Sequence, residues 1–244
     1  MSGAKREAEW RHDHARGVMA TLAMLALLLL GACESDNYET GDGKYSYLRA
    51  DFVEAHSKEA KLFDTAVTDD GDELVFVEPL SCSWAATPDS IYRALIYYNV
   101  GKKNDPKSVA GISASQVLVL RLPQKQPEKA ICDPLKVESA WLSANGKYFN
   151  LGLYVMVGKT EEENLKQSLG IVRDTIVDLD NGTKLHQLRL LHSQNGVPEN
   201  YSTKIYASIP LEYFSQGDVV RLDVNTYNGP LNKTFQVGNQ VTGM

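Results

Sequence analysis

The sequence predicts an all-β chain, with a small barrel or compact sandwich over residues 45–126 and an antiparallel β-sandwich over residues 135–244. Three observations lead there. From Tyr45 onward, apolar residues recur with a period of two in runs of strand length. Asp70-Gly71, Asn145-Gly146 and Asn181-Gly182 separate several of those runs, and such pairs supply the positive φ of tight hairpins. Pro123, Pro127 and Pro134 remove backbone donors between the halves and interrupt sheet ladders, which places the domain junction there.

In the first half, Leu48, Ala50 and Phe52 share one face of a half-buried strand. Strands over Leu62 to Val67 and Leu74 to Val77 flank Thr68-Asp69-Asp70-Gly71-Asp72. Its aspartates lack the ligand spacing and terminal bidentate acid of a calcium loop, so it reads as a turn. Ile91 to Val100 alternates, with Tyr92, Ala94, Ile96, Tyr98 and Val100 on one side and Arg93, Tyr97 and Asn99 on the other. Val117 to Leu122 is apolar on both faces except at Arg121, as in a central strand or one lying between two layers.

In the second half, Val137 to Ser143 and Tyr148 to Val157 pair around Asn145-Gly146. Phe149, Leu151, Leu153, Val155 and Val157 form the cleanest core face in the chain. Thr160 to Leu169 fits a short helix or a loop, and Pro210 to Phe214 one helical turn. Strands over Gly170 to Val177, Lys184 to Leu191, Thr203 to Ile209, Val219 to Thr226 and Lys233 to Val237 complete an antiparallel sandwich pattern.

Upstream, the apolar run Val18 to Leu30 makes about 20 Å of helix, short for a hydrocarbon core of roughly 30 Å. Lys5, Arg6, Arg11 and Arg16 precede it and Gly31-Ala32 follow, the layout of a secretory signal over residues 1–32. Leu30-Gly31-Ala32-Cys33 resembles the lipobox of bacterial lipoproteins, which implies acylation of Cys33 and attachment to membrane lipid. Residues 33–44 then form the lipidated cysteine and a flexible tether, because Glu34 to Lys44 holds no aliphatic residue. Acids directly after the cysteine resemble the export signal of surface lipoproteins in the Bacteroidota. The expected address is the outer membrane, at the cell surface or the periplasmic face.

From Cys33 onward the chain has 212 residues with 21 basic and 28 acidic side chains, a net charge of -7. That balance and the lack of a basic stripe exclude a nucleic-acid partner. Cys82 and Cys132 either bond or serve as two buried small side chains; a bridge closing their loop is worth about 4 kcal/mol. His56, His186 and His192 are the mature histidines, each expected as a hydrogen-bonded surface group. His186 and His192 would lie about 20 Å apart on one strand, too far to share a metal. The mature chain has no nucleophile elbow, phosphate loop, HExxH or CxxC, so the sequence predicts no catalytic residue, metal or cofactor. Tyr47, Trp84, Tyr97 and Tyr98 are the candidate binding aromatics, with core as the alternative role.

Tyr47 to Phe52, the Thr68-Asp69-Asp70-Gly71 turn, Tyr92-Arg93, Trp141-Leu142-Ser143, Asn145 to Leu151 and His186 to Leu190, in that order, resemble the NigD-like family of Bacteroidota lipoproteins. The resemblance spans almost the whole mature chain. It implies an OB-like barrel followed by a β-sandwich, and it carries no catalytic residue or cofactor. The expected role is a binding or accessory module at the outer membrane that meets an envelope protein or a surface glycan. A structural or envelope-interaction role, including bacteriocin protection, is the alternative.

Overall fold

A computed structural model describes residues 48–100, 105, 107–159 and 165–238. The signal segment, Cys33, the tether and Tyr47 lie outside the described residues, as do residues 160–164 within the expected helix or loop. The first five strands are β1 (Leu48–Ser57), β2 (Leu62–Thr68), β3 (Glu73–Ser81), β4 (Ser90–Asn99) and β5 (Ser108–Gln116). They close a barrel in the order β1-β2-β3-β5-β4. Period-two alternation builds it: Val53 and Ala55 of β1, Leu74 and Phe76 of β3, and Ala94, Ile96 and Tyr98 of β4 all point into one core around Phe63. Gly71, at φ 90°, lets the Thr68–Asp72 turn reverse the chain within a few residues.

The remaining strands form two four-stranded sheets. They are β6 (Leu118–Val119), β7 (Lys136–Leu142), β8 (Tyr148–Val157), β9 (Ser168–Asp178), β10 (Lys184–Ser193), β11 (Tyr201–Pro210), β12 (Val219–Thr226) and β13 (Gly229–Gln236). One sheet runs β6-β11-β8-β7 and the other β13-β12-β10-β9. Between them lies a second core with Leu151 and Leu153 of β8, Leu188 of β10, Ile209 of β11 and Leu222 of β12 fully buried. The expected helical turn is a single 3-10 turn at Leu211–Tyr213.

Three parallel pairings depart from a simple run of hairpins; besides β3 with β5 in the barrel, two involve sandwich strands. β10 and β12 are parallel, because the chain crosses to the other sheet as β11 between them. The Val117 to Leu122 stretch yields only the two-residue β6, which leaves the barrel and pairs in parallel with Ala207–Ser208 of β11. Its apolar character on both faces follows from that position, since Leu120 is buried in the sandwich core while Val117 is buried where its N–H bonds to the Arg93 carbonyl.

The expectation of surface histidines fails for β10. His186 and His192 sit on its inner face with Leu188 and Leu190, and both rings are buried. His192 Nδ1 meets the Asp133 carbonyl at 3.1 Å. His186 Nε2 meets Asp218 Oδ2 at 3.0 Å. Asp218 also accepts the Lys184 and Ser215 backbone N–H groups, each at 2.9 Å. Burial alone would raise the Asp218 pKa, but those two N–H bonds and His186 outweigh it and hold the carboxyl below its usual range.

A depressed folded-state pKa means that Asp218 stabilises the fold above the ordinary carboxylate pKa and ceases to do so as pH falls through the folded value. Asp218→Asn should therefore lower stability at pH 7 by about 1–3 kcal/mol and flatten the acid limb of the stability curve. Urea melts from pH 7 to pH 3 check this. A variant as steeply acid-sensitive as the wild type would contradict the assignment.

Candidate functional site

The barrel sits on the outer face of the β6-β11-β8-β7 sheet, and the side chains that join the two come from strand positions facing away from both cores. Phe52 projects from β1 and meets Trp141 of β7 at 5.3 Å and Tyr206 of β11 at 5.1 Å, both edge-on. Gly152 of β8 lies under this group: a Cβ there would fall 2.5 Å from Ser139 Oγ and 3.5 Å from the Tyr206 ring. The missing side chain leaves room for the Ser139 hydroxyl.

Arg93 of β4 crosses the junction beside Phe52. Its side chain is 1% exposed, and its two terminal nitrogens donate to the Asp69 carboxylate at 2.6 Å each. Its Nε donates to Ser208 Oγ at 3.3 Å and its Nη2 to Asn150 Oδ1 at 3.2 Å. The Ser208 hydroxyl donates to Asn150 Oδ1 at 2.7 Å, and the Asn150 amide donates to Asp69 Oδ2 at 3.3 Å. The guanidinium carbon lies 4.2 Å from the Tyr148 ring centre, so a cation–π contact covers one flank. A turn aspartate, a barrel arginine and two sandwich side chains thus satisfy one another, with the arginine buried and the Asp69 side chain 15% exposed.

Next to this network a cleft of about 680 Å³ opens between barrel and sandwich. Ile91, Val119, Leu211 and Phe214 form its apolar walls. Glu54 of β1 accepts Lys147 Nζ at 2.5 Å and the Tyr148 hydroxyl at 2.8 Å, and across the cleft Arg121 donates to Glu212 at 3.1 Å. Burial pushes up on Glu54, but the Lys147 and Tyr148 hydrogen bonds, with the Lys147 and Arg93 charges, bring its pKa below the ordinary value. Burial and the neighbouring Glu54 carboxylate push the Tyr148 phenol up to about 12. A second cleft of about 490 Å³ lies beyond the Gln116–Leu120 crossover and is lined by Trp84, Tyr92 and Leu169. The cleft beside Tyr148 offers apolar surface, donors and acceptors, while its charges are already paired. That suits recognition of a surface more than proton transfer to a substrate.

Of the four aromatics singled out from sequence, the three that are described do not form a row. Tyr98 is in the barrel core and donates to Asp51 at 2.6 Å. Trp84 is half-buried against Phe63 and Tyr92. Tyr97 is exposed, and Tyr47 lies outside the described residues. Cys82 is buried in the barrel and Cys132 lies beside His192 in the sandwich; both thiols are free, so the bridge the sequence allowed is not formed. Arg93, Asp69 and Asn150 were missed as a group. The available signal was a lone arginine in an otherwise apolar and aromatic strand, Ile91 to Tyr98.

Among the described residues no cluster of three or more His, Cys, Asp or Glu side chains is arranged to hold a metal ion. No protein-family model matches the sequence, and no curated protein matches it. Solved structures do. A NigD-like immunity protein from Bacteroides caccae superimposes with a TM-score of 0.60 at 18% identity, over 77% of this chain and 96% of that one. A candidate toxin-related protein from Parabacteroides distasonis gives 0.58 at 12% identity, over 78% and 92%. A candidate lipoprotein from Bacteroides fragilis gives 0.54 at 12% identity, over 79% and 98%. At these identities the likeness is one of fold, and the chain shares its two-part β architecture with this Bacteroidota set.

Removing one partner from a buried, hydrogen-bonded pair leaves the other uncompensated, so Arg93→Met should destabilise the protein by about 3–5 kcal/mol. Asp69→Asn should lose less when Arg93 is already absent than when it is present. A double-mutant cycle by chemical denaturation measures that coupling, and additive losses would show that the two side chains do not act as a pair.

Proposed function

We propose that this chain is an extracytoplasmic lipoprotein, acylated at Cys33 and held at the outer membrane, which acts by binding another protein of the cell envelope. The observation that carries this reading is the shared fold. Structures with the same architecture include one named as a NigD-like immunity protein, one as a candidate toxin-related protein and one as a candidate lipoprotein. The dispersal of Trp84, Tyr97 and Tyr98 supports a protein partner over a glycan, because a saccharide-stacking surface needs neighbouring exposed rings and these three do not supply one. The cleft beside Tyr148 is the proposed contact. Its walls are apolar, its rim charges are Lys147, Arg121 and Glu212, and Ile91 at its edge is 70% exposed. A protruding loop with an aliphatic tip would bury Ile91 there.

Crosslinking on intact cells tests the reading. Wild-type protein should recover one envelope protein, and Ile91→Glu should cut that recovery at least tenfold without changing the melting temperature by more than a few degrees. Acyl labelling of Cys33→Ala should fall to background. Equal labelling would remove the anchor, whereas binding to purified surface polysaccharide with no crosslinked protein would remove the partner.

A further inference from the structure

The barrel has an outer wall that the proposed cleft does not use. Strand β5 (SVAGISASQ) contains no charged residue, although Ala110, Ile112, Ser113, Ser115 and Gln116 are exposed. Its neighbour β3 runs parallel to it, with Val75 opposite Ser108 and Phe76 opposite Val109, which brings Val77 alongside Ala110. Val75 and Val77 are 47% and 64% exposed. On the other side, β4 sets Tyr97 opposite Ser113 and Tyr98 opposite Gly111, and the irregularity between them presents Ile112 to solvent. Beyond β4 comes β1, where Ala50 faces Tyr97 and Leu48 is exposed. Four adjacent strands therefore bring Val75, Val77, Ile112, Tyr97 and Leu48 to one exposed, largely apolar stretch of the barrel. Charged residues border it, with Glu78 and the Glu73–Lys107 ion pair on the β3 and β5 side and Arg49 beside Leu48 on β1.

We infer that this wall of the barrel lies against the lipid bilayer. The inference rests on Cys33 carrying an acyl chain, as proposed above. Two arguments select lipid over another occupant. Fifteen Cα steps separate Cys33 from Leu48, which allow at most about 50 Å of extended chain, and Leu48 opens the strand that borders this wall. The folded body, with a net charge of -4 from Leu48 onward, is disfavoured at anionic headgroups. The apolar stretch meets less of that repulsion and gains from shallow burial of Val77, Ile112 and the amphipathic Tyr97. Tyr97 is the one aromatic among the wall's exposed apolar positions, fewer than the core of a protein interface carries.

The full-length lipoprotein, reconstituted in phosphatidylcholine vesicles, tests the inference. In a Cys132→Ser background, an environment-sensitive fluorophore is placed at Ile112→Cys or Val77→Cys on the wall, and at Thr175→Cys on β9 of the sandwich. Spin-labelled lipid in the bilayer should quench the fluorophore at 112 and at 77 at least threefold more than the one at 175, and vesicle addition should shift the emission of the first two to the blue. Protein that floats with the vesicles but shows equal quenching at all three positions overturns the inference and leaves the anchor intact. Protein that does not float overturns both. A blue shift at 112 that appears without vesicles and grows with protein concentration would assign the wall to a second copy of the chain instead.

Discussion

Much of this structure turns on how a guanidinium can be buried between two β bodies. Taking Arg93 out of water is unfavourable by several kcal/mol, and only a complete set of partners offsets it. Asp69 supplies the opposite charge from the β2–β3 turn, Asn150 and Ser208 supply acceptors from β8 and β11, and Tyr148 covers a flank. The partners come from three elements, the β2–β3 turn, β8 and β11, so satisfying one side chain fixes all three against β4. Geometry at this junction also sets the cleft, since Tyr148 lies over Arg93 on one side and donates to Glu54 on the other. The barrel and sandwich thus share a polar pin flanked by an aromatic contact, Phe52 against Trp141 and Tyr206.

Individual strands were legible wherever one face was core and the other met solvent. β8 is the clearest case, because Phe149, Leu151, Leu153 and Val155 alternate without interruption and are all buried. The outward face of the same strand was not legible as an interface. Asn150 and Gly152 look like ordinary solvent-side residues until a second body covers them, and Asn150 is then fully buried. Arg93 shows the same limit on β4. For Tyr98 the signal was present, since alternation groups it with Ala94 and Ile96, and the structure buries all three. Polar residues buried by a neighbouring domain carry no periodic signature, so a candidate site built from them emerges only when the bodies are brought together.

The histidines of β10 make a related point. Their spacing excluded a shared metal site but said nothing about depth, because a buried imidazole needs only one or two local acceptors. Asp218 and the Asp133 carbonyl supply them from segments 32 and 59 residues away. These polar contacts stabilise the sandwich and leave its functional surface elsewhere. The surfaces proposed for partner recognition and for membrane contact are separate, a cleft with paired charges beside the junction and an apolar stretch of the barrel wall.

Differential scanning calorimetry on residues 45–244 tests the central claim most directly. If the Arg93 network makes barrel and sandwich one body, the protein unfolds in a single transition whose calorimetric and van't Hoff enthalpies agree. Two resolved transitions in the wild-type protein, one for each set of strands, would contradict it.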